Sequence, residues 1–459
     1  MQHISNMPLR QGSALSLCAL PIELLAYVFT LCLPAEEYLT PSTQHAPLLL
    51  AAVCKPWRTL ALGTPQLWTS LSICIDRHVS TESNMAVLPD IVHSWLARSA
   101  MCPLSLEISN ESGRWDQSGL DAFSRIVEIY AEHLGQWQNL KILLTQPQSY
   151  YYPYSLFNSY KGAHYAPLLE SLDVDIRSPI SAGCYRALNG IANSAPRLQK
   201  YHMQCPDNFQ VKFQLNPPSA RLTHIVINVW DISDALELVR LSPVLVDLRV
   251  VNEAGVRYTS GEKANADPQG PVIIHQNMRS LEIKTEHRLR GFLDRIQAPS
   301  LEVLKIDLSA SNPSVAARWS QSLFISFLSR SACSLTVLHL AGRCLLTQKS
   351  HIIKIMELAP ALVELSVHNY DGFFVSEELL QQMTLVDSPD RSPLCPKLES
   401  IFFIDGWSCY AGSIGGMVRS RWHSSANAQA CRVGGEPAQC GRLKSVRIGA
   451  PLPYYYSCR

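Results

Sequence analysis

The sequence predicts an α/β chain: three short helices at the N-terminus, then an irregular solenoid of short parallel strands and helices. Three observations predict it. Between residues 18 and 72, apolar runs are cut at intervals by Pro21, Pro34, Pro47, Pro56 and Pro65, which is the punctuation of short helices. From Leu140 to Leu443 one short apolar unit recurs eleven times. Between copies lie amphipathic stretches such as SDALELVR, RWSQSLFISFLSR and KSHIIKIMELA, whose apolar residues return with helical period.

The bulk numbers fit a packed chain. Of 459 residues, 47% are hydrophobic and 17% charged, ample for a core and too apolar for a disordered protein. A net charge of +1, with no run of five Lys/Arg, gives no global pull toward nucleic acid or an anionic membrane. The 14 cysteines are scattered, most within apolar segments, and none forms a C-x-x-C pair. That is the usage of buried thiols in a reducing compartment, cytoplasm or nucleus, rather than of a disulfide frame or a zinc site. Ala14–Leu33 is apolar enough to imitate a signal or anchor, but Pro21 and Glu23 sit inside it and Pro34 ends it. A charge at bilayer depth costs several kcal/mol, so no membrane association is expected.

The chain in order reads as follows. Residues 1–17 lack periodicity and form a leader. Pro21 suits the first turn of a helix, with Glu23 near its positive end, and Leu24, Leu25, Val28 and Phe29 make one apolar face until Pro34. Ala35–Ala46 is a polar loop. Pro47–Cys54 is a second helix, and Pro56 starts a third, WRTLALG, ended at Gly63. Thr64-Pro65 punctuates before Leu67-Trp68 and the strand-like LSICI. Three such helices lie near the size limit for independent stability, so part of their apolar surface awaits a partner.

These residues resemble an F-box. The pattern LPxELL…IF…L, then VC+xW+xLA, then P-x-LW is met by Leu20, Pro21, Glu23, Leu24, Leu25, Phe29, Leu33, Val53, Cys54, Trp57, Arg58, Leu60, Ala61, Pro65, Leu67 and Trp68. Two departures stand out: a longer loop between the first two helices, and Pro56 at a position often basic or small. The long loop is similar to the version common in F-box proteins of mushroom-forming fungi. The resemblance implies docking on a Skp-type adaptor and, through it, a cullin scaffold. It assigns Leu20, Pro21, Leu24, Leu25, Phe29, Val53, Cys54 and Trp57 to the adaptor-facing surface or its direct support. Leu60, Leu67 and Trp68 would hold the box together and join it to the rest. The competing reading is a generic helical hairpin capping a core.

Beyond the box, residues 73–135 are expected to link and cap: a helix at Ile91–Arg98, a strand at 102–108, a helix at Leu120–Leu134. Residues 136–450 hold the repeats. Each unit is a small residue, often Pro, then Leu-x-x-apolar-x-apolar, anchored at Leu140, Leu169, Leu198, Leu222, Leu245, Met278, Leu301, Leu335, Leu362, Leu398 and Leu443. Steps of 23 to 45 residues bracket the period of leucine-rich repeats with insertions. The last two apolar residues share one face of a strand and the anchor tucks in before them, so the face is buried only by stacking. The Asn that standard repeats carry after the strand is absent, which makes the units irregular. A mixed α/β domain without repeats is the alternative. Insertions are expected at 252–271 and 406–441, the latter with a helix Met417–Trp422 whose Arg419 and Arg421 form a solvated face, and a tail at 451–459. Met417–Trp422 before a final strand also resembles the closing unit of the fungal family.

Chemistry is the thinnest part of the chain. There is no GxxxxGK[ST], HExxH or G-x-S-x-G, and Gly412–Gly416 follows no strand–helix phosphate fingerprint. No catalytic residue, metal ligand or cofactor is expected, and no His, Asp and Ser are paired by spacing. Tyr150–Tyr152 with Tyr154, and Tyr454–Tyr456, are read as loops and tail folding back on the array, with a protein interface as the alternative. The expectation is a non-enzymatic adaptor that holds a protein substrate for ubiquitin transfer, with no nucleic-acid partner. Its rivals are a scaffold unconnected with degradation and a small-molecule receptor using the concave face.

Overall fold

A computed structural model of the chain describes residues 20–75, 82–110, 117–144, 165–176, 182–204, 219–228, 232–252, 271–285, 289–308, 319–342, 345–346, 348–369, 374–385, 393–404, 409–422, 432–433, 436–437 and 441–449. The leader 1–17, the insertion within 252–271, both tyrosine clusters, the tail 451–459 and much of 406–441 lie outside these residues. The chain is α/β and divides into two compact units, residues 1–161 and 162–459.

The first unit opens with α1 (Ile22–Leu31), α2 (Leu48–Val53) and α3 (Lys55–Leu62), then a 3-10 turn at Pro65–Trp68 leading into β1 (Ser70–Cys74). There follow α4 (Glu82–Arg98), β2 (Leu104–Asn110), α5 (Gln117–Glu132) and β3 (Trp137–Leu144), with the three strands parallel in sequence order. The helix α4 begins nine residues before the predicted Ile91 and runs through Pro89, forgoing the bond its missing N–H would make. Pro21 stands one position outside α1, with extended backbone, and its carbonyl accepts the Leu25 N–H at 3.0 Å.

The second unit contains β4 (Ser171–Ile176), α6 (Ala182–Asn193), β5 (Lys200–Gln204), β6 (His224–Asn228), α7 (Ile232–Leu241), β7 (Asp247–Asn252), β8 (Ile273–Ile274) and β9 (Ser280–Thr285). It continues through α8 (Arg290–Leu293), β10 (Ile296–Gln297), β11 (Val303–Leu308), α9 (Gln321–Ser331), β12 (Val337–Gly342), α10 (Lys349–Leu358), β13 (Glu364–Asn369) and α11 (Glu377–Met383). It closes with β14 (Ser400–Ile404), α12 (Ala411–Trp422), β15 (Arg432–Val433), β16 (Glu436–Pro437) and β17 (Ser445–Gly449). Strands β4 to β7, β9, β11 to β14 and β17 form one open parallel run in sequence order. Such neighbours need a crossover between them, which the intervening helices and loops provide.

Three devices repeat along this run. The anchors Leu169 to Leu443 are all buried just ahead of their strands, and β4, β9, β11, β12 and β13 then alternate half-buried and buried. A small residue three positions before the anchor closes a turn: Leu169, Leu198, Leu245, Leu301, Leu362 and Leu398 donate to the carbonyls of Ala166, Ala195, Ser242, Ala298, Ala359 and Cys395 at 3.1–3.3 Å. The carbonyl after each anchor accepts two N–H groups of the next unit at 2.7–3.2 Å, from Glu170 through Gln199, Thr223, Val246, Arg279, Glu302, Thr336 and Val363 to Glu399. Where the anchor is Met278, the turn is made by His275, whose Nδ1 accepts the Met278 N–H at 3.1 Å and whose Nε2 donates to the Ser242 carbonyl at 2.9 Å.

Four expectations are corrected. The anchor of β3 is Trp137, fully buried, while Leu140 is the first inward residue of the strand itself. The indole N–H of Trp137 donates to the Tyr130 carbonyl at 2.8 Å, a bond that fixes the ring ahead of the sheet. Asn does recur at the repeats, as the last residue of the strand rather than after it, in β2, β6, β7 and β13; Asn369, buried at the third inward position of β13, accepts the N–H groups of Leu345 and Leu346 and donates to the Leu346 carbonyl. The glycine-bearing stretch Gly412–Gly416 is helical, so α12 starts six residues before Met417. Finally, Arg421 does not lie on a solvated face.

It is fully buried, and its Nε, Nη1 and Nη2 donate to the carbonyls of Met383, Cys395 and Leu394 at 2.7, 3.0 and 2.6 Å. Burial pushes its pKa down to about 10, still far above neutrality, so the cation sits on the carbonyl end of α11. Arg330 does the same for α8, donating to the carbonyls of Leu293 and Ile296. Arg419 is exposed as expected, bonding back to the Gly415 carbonyl.

Candidate docking site

The three N-terminal helices carry apolar side chains on two opposed sides of α1. Leu25 and Phe29, four apart, face the core, where Phe29 meets Trp57 of α3 at 4.9 Å between ring centroids. Leu24, Tyr27 and Leu31 follow steps of three and four, which stacks them on one stripe of the helical surface, and Leu20 is exposed just before the helix. That stripe is open: Leu24 is 53% exposed, Tyr27 62% and Leu31 67%. On α2, Leu49 and Val53 repeat the arrangement, with Leu50 buried between them. The α2–α3 break is an extended Cys54, and Arg58 Nε donates to the Ala51 carbonyl at 2.8 Å, holding the two helices together.

The predicted adaptor-facing residues therefore fall into layers. Leu20, Pro21, Leu24 and Val53 are exposed, Cys54 and Trp57 half-buried, Leu25 and Phe29 buried beneath. Of the predicted core residues, Leu67 and Trp68 are buried and Leu60 half-buried. Tyr27, Leu31 and Leu49 share the exposed stripes yet lie outside the motif match. Their helical spacing from Leu24 and Val53 was the signal that identifies them.

Trp68 ties these helices to the sheet. Its Nε1 donates to the Ala61 carbonyl of α3 at 2.9 Å, and its ring meets Trp95 of α4 edge-on at 4.7 Å. Trp95 in turn donates to the Ser70 carbonyl of β1, and the Arg98 guanidinium lies 4.8 Å over the Trp68 ring. The long α1–α2 loop closes the outer edge of β1: Ser72 N–H donates to the Leu39 carbonyl at 2.7 Å and Leu39 N–H to Ser70 Oγ at 2.9 Å. A strand edge so covered is blunted against unwanted pairing.

The outward faces of the strands carry cross-strand polar pairs that sequence spacing did not mark. In the first unit Glu107 accepts Ser72 Oγ at 2.7 Å and Lys141 Nζ at 2.8 Å. In the second, His202 meets Asp173 at 2.6 Å, Arg249 meets Glu282 at 3.2 Å and His339 meets Glu364 at 2.6 Å. Parallel register brings these partners together across 25 to 35 residues of sequence, which is why no local motif announces them. Burial alone would lower the His202 pKa, but the hydrogen bond and charge of Asp173, with Gln204 and Asp175, outweigh it and raise it above 6.5.

Burial pushes the thiols of Cys184 and Cys395 up to about 12 and that of Cys333 to about 11, leaving them protonated and inert at neutral pH. Among the described residues no group of three His, Cys, Asp or Glu could hold a metal ion, and no helix is long and apolar enough to cross a membrane. Compared with known proteins, the chain matches no family model and no curated sequence.

Proposed function

We propose that the chain is a non-enzymatic adaptor of the F-box class, docking through α1–α3 on a Skp-type adaptor and so on a cullin scaffold. Its leucine-rich-repeat-like units then present a protein substrate for ubiquitin transfer by other subunits. The chemistry is proximity, which raises the effective concentration of substrate lysines near a conjugating enzyme. The observation that carries the reading is the exposed stripe Leu24, Tyr27 and Leu31 on α1, with exposed Leu20 just before it, in the stretch whose LPIELL sequence resembles the docking motif. Apolar side chains aligned on one side of a helix, with a complete core on the other, suit a partner surface.

The test is co-purification of the full chain with a Skp-type adaptor, wild type beside Pro21→Ala with Leu24→Ala. Both residues are exposed, so the variant keeps its fold, and adaptor capture is expected to disappear. Unchanged capture sinks the docking claim. Partners retained by the variant report the second unit. If their cellular levels do not respond to proteasome inhibition, the scaffold reading replaces the ligase one.

A further inference from the structure

We infer that His202 is an acid–base lock between β4 and β5, an imidazolium that bridges the two strands near neutral pH and lets go on mild alkalinisation. The geometry favours a donor at each ring nitrogen, most firmly at the one facing Asp173. Nδ1 stands 2.6 Å from Asp173 Oδ1, and Nε2 faces Gln204 Oε1 at 3.5 Å. A neutral imidazole has one N–H, an imidazolium two.

The surroundings favour the cation. On β4 the facing groups are the carboxylates of Asp173 and Asp175, directly across from His202 and Gln204 in register. On β5 itself Lys200 and Gln204 flank the ring. On β6 the residue opposite is the apolar Val226, between Asn228 and His224, whose Nδ1 is engaged by Thr223 Oγ1 at 2.9 Å. His339 makes an outwardly similar pair, but Lys305 of β11 stands opposite it in register, so one side is acidic and the other basic. Among the described histidines only His202 is flanked by two carboxylates with an apolar residue opposite.

The sign follows from the environment. Burial opposes the charge, and the carboxylates overcome it, so the folded pKa exceeds the ordinary 6.5. A base raised on folding contributes stability that is complete below its unfolded pKa and is lost as pH climbs through the folded one. Above that point the Asp173 carboxylate stands without its counter-ion, and the outward face at β4–β5 becomes more acidic by one charge.

The experiment is histidine-selective NMR titration of the full chain, with His202→Gln to assign the signal, alongside melting temperatures from pH 6 to 9. Wild-type His202 is expected to titrate above 6.5, and Asp173→Asn to lower its midpoint, because the hydrogen bond and charge that oppose burial are then removed. The melting temperature of Asp173→Asn should trail wild type at pH 6 and converge with it as pH rises past the midpoint of wild-type His202. Gln204→Leu should lower the midpoint by less. A wild-type midpoint at or below 6.5, a midpoint indifferent to Asp173→Asn, or a melting gap independent of pH each overturns the lock.

Discussion

Arg421 shows how a single side chain can serve as the terminus of an element. Three backbone carbonyls, from Met383, Leu394 and Cys395, converge on one guanidinium with no carboxylate among the three partners. The residue ties α11, the turn before β14 and α12 at one point, and its planar fork does what an ammonium would do only in part. Arg421→Leu takes the guanidinium donor from the Met383 and Leu394 carbonyls, leaves Cys395 only the Leu398 N–H, and is expected to cost about 3 kcal/mol. Arg421→Lys should cost less, since it restores some bonds. Chemical unfolding of both variants measures this, and a loss under about 0.5 kcal/mol for the leucine would refute the clamp. The sequence marks Arg421 only as a charge on an amphipathic helix. Its burial depends on carbonyls 26 to 38 residues away, which no local pattern encodes.

At the level of elements, Trp68 and Trp137 reveal one design used twice. Trp68-x-x-Leu71-x-Ile73 and Trp137-x-x-Leu140-x-Ile142 each place a buried indole ahead of a strand. Each indole donates to a carbonyl seven residues earlier, at the preceding helix. The third N-terminal helix is thus also the lead-in to the first strand, so the expected boundary at residue 72 falls inside β1. Trp68→Phe keeps a ring but loses the bond to Ala61 and part of the contact with Trp95. It should cost about 2 kcal/mol, with hydrogen exchange rising together in α3, β1 and α4. Exchange confined to α3 would argue for a separable helical piece.

Apolar spacing made the helices, the strands and ten of the eleven anchors legible. The Leu140 register escaped because a Trp was doing a leucine's task, and the buried arginine because its partners are backbone. In the N-terminal helices the motif match grouped exposed Leu24 with buried Phe29, since a motif records identity and not which side of a helix faces water.

For the whole molecule, the decisive property is that each unit of the second run is satisfied by its neighbours. Leu301 is buried between β9 and β12, and the next residue, Glu302, donates backward to Arg279 and accepts from Thr336 and Val337. Leu443 has only β14 on its strand's paired side among the described residues, and the inward Val446 and Ile448 of β17 remain half-buried. In a stack, stability is nearly a sum of unit and nearest-neighbour contributions, so damage should stay local and scale with the number of interfaces touched. Leu301→Ala is expected to cost about 4 kcal/mol and to raise hydrogen exchange in β9, β11 and β12 before β5 or β14 respond. Leu443→Ala should cost about 2 kcal/mol and open β17 and β14 alone. A domain with one undivided core would instead lose protection everywhere at once for either substitution, so the pattern of exchange, more than the size of either loss, separates a stack of units from a single globule.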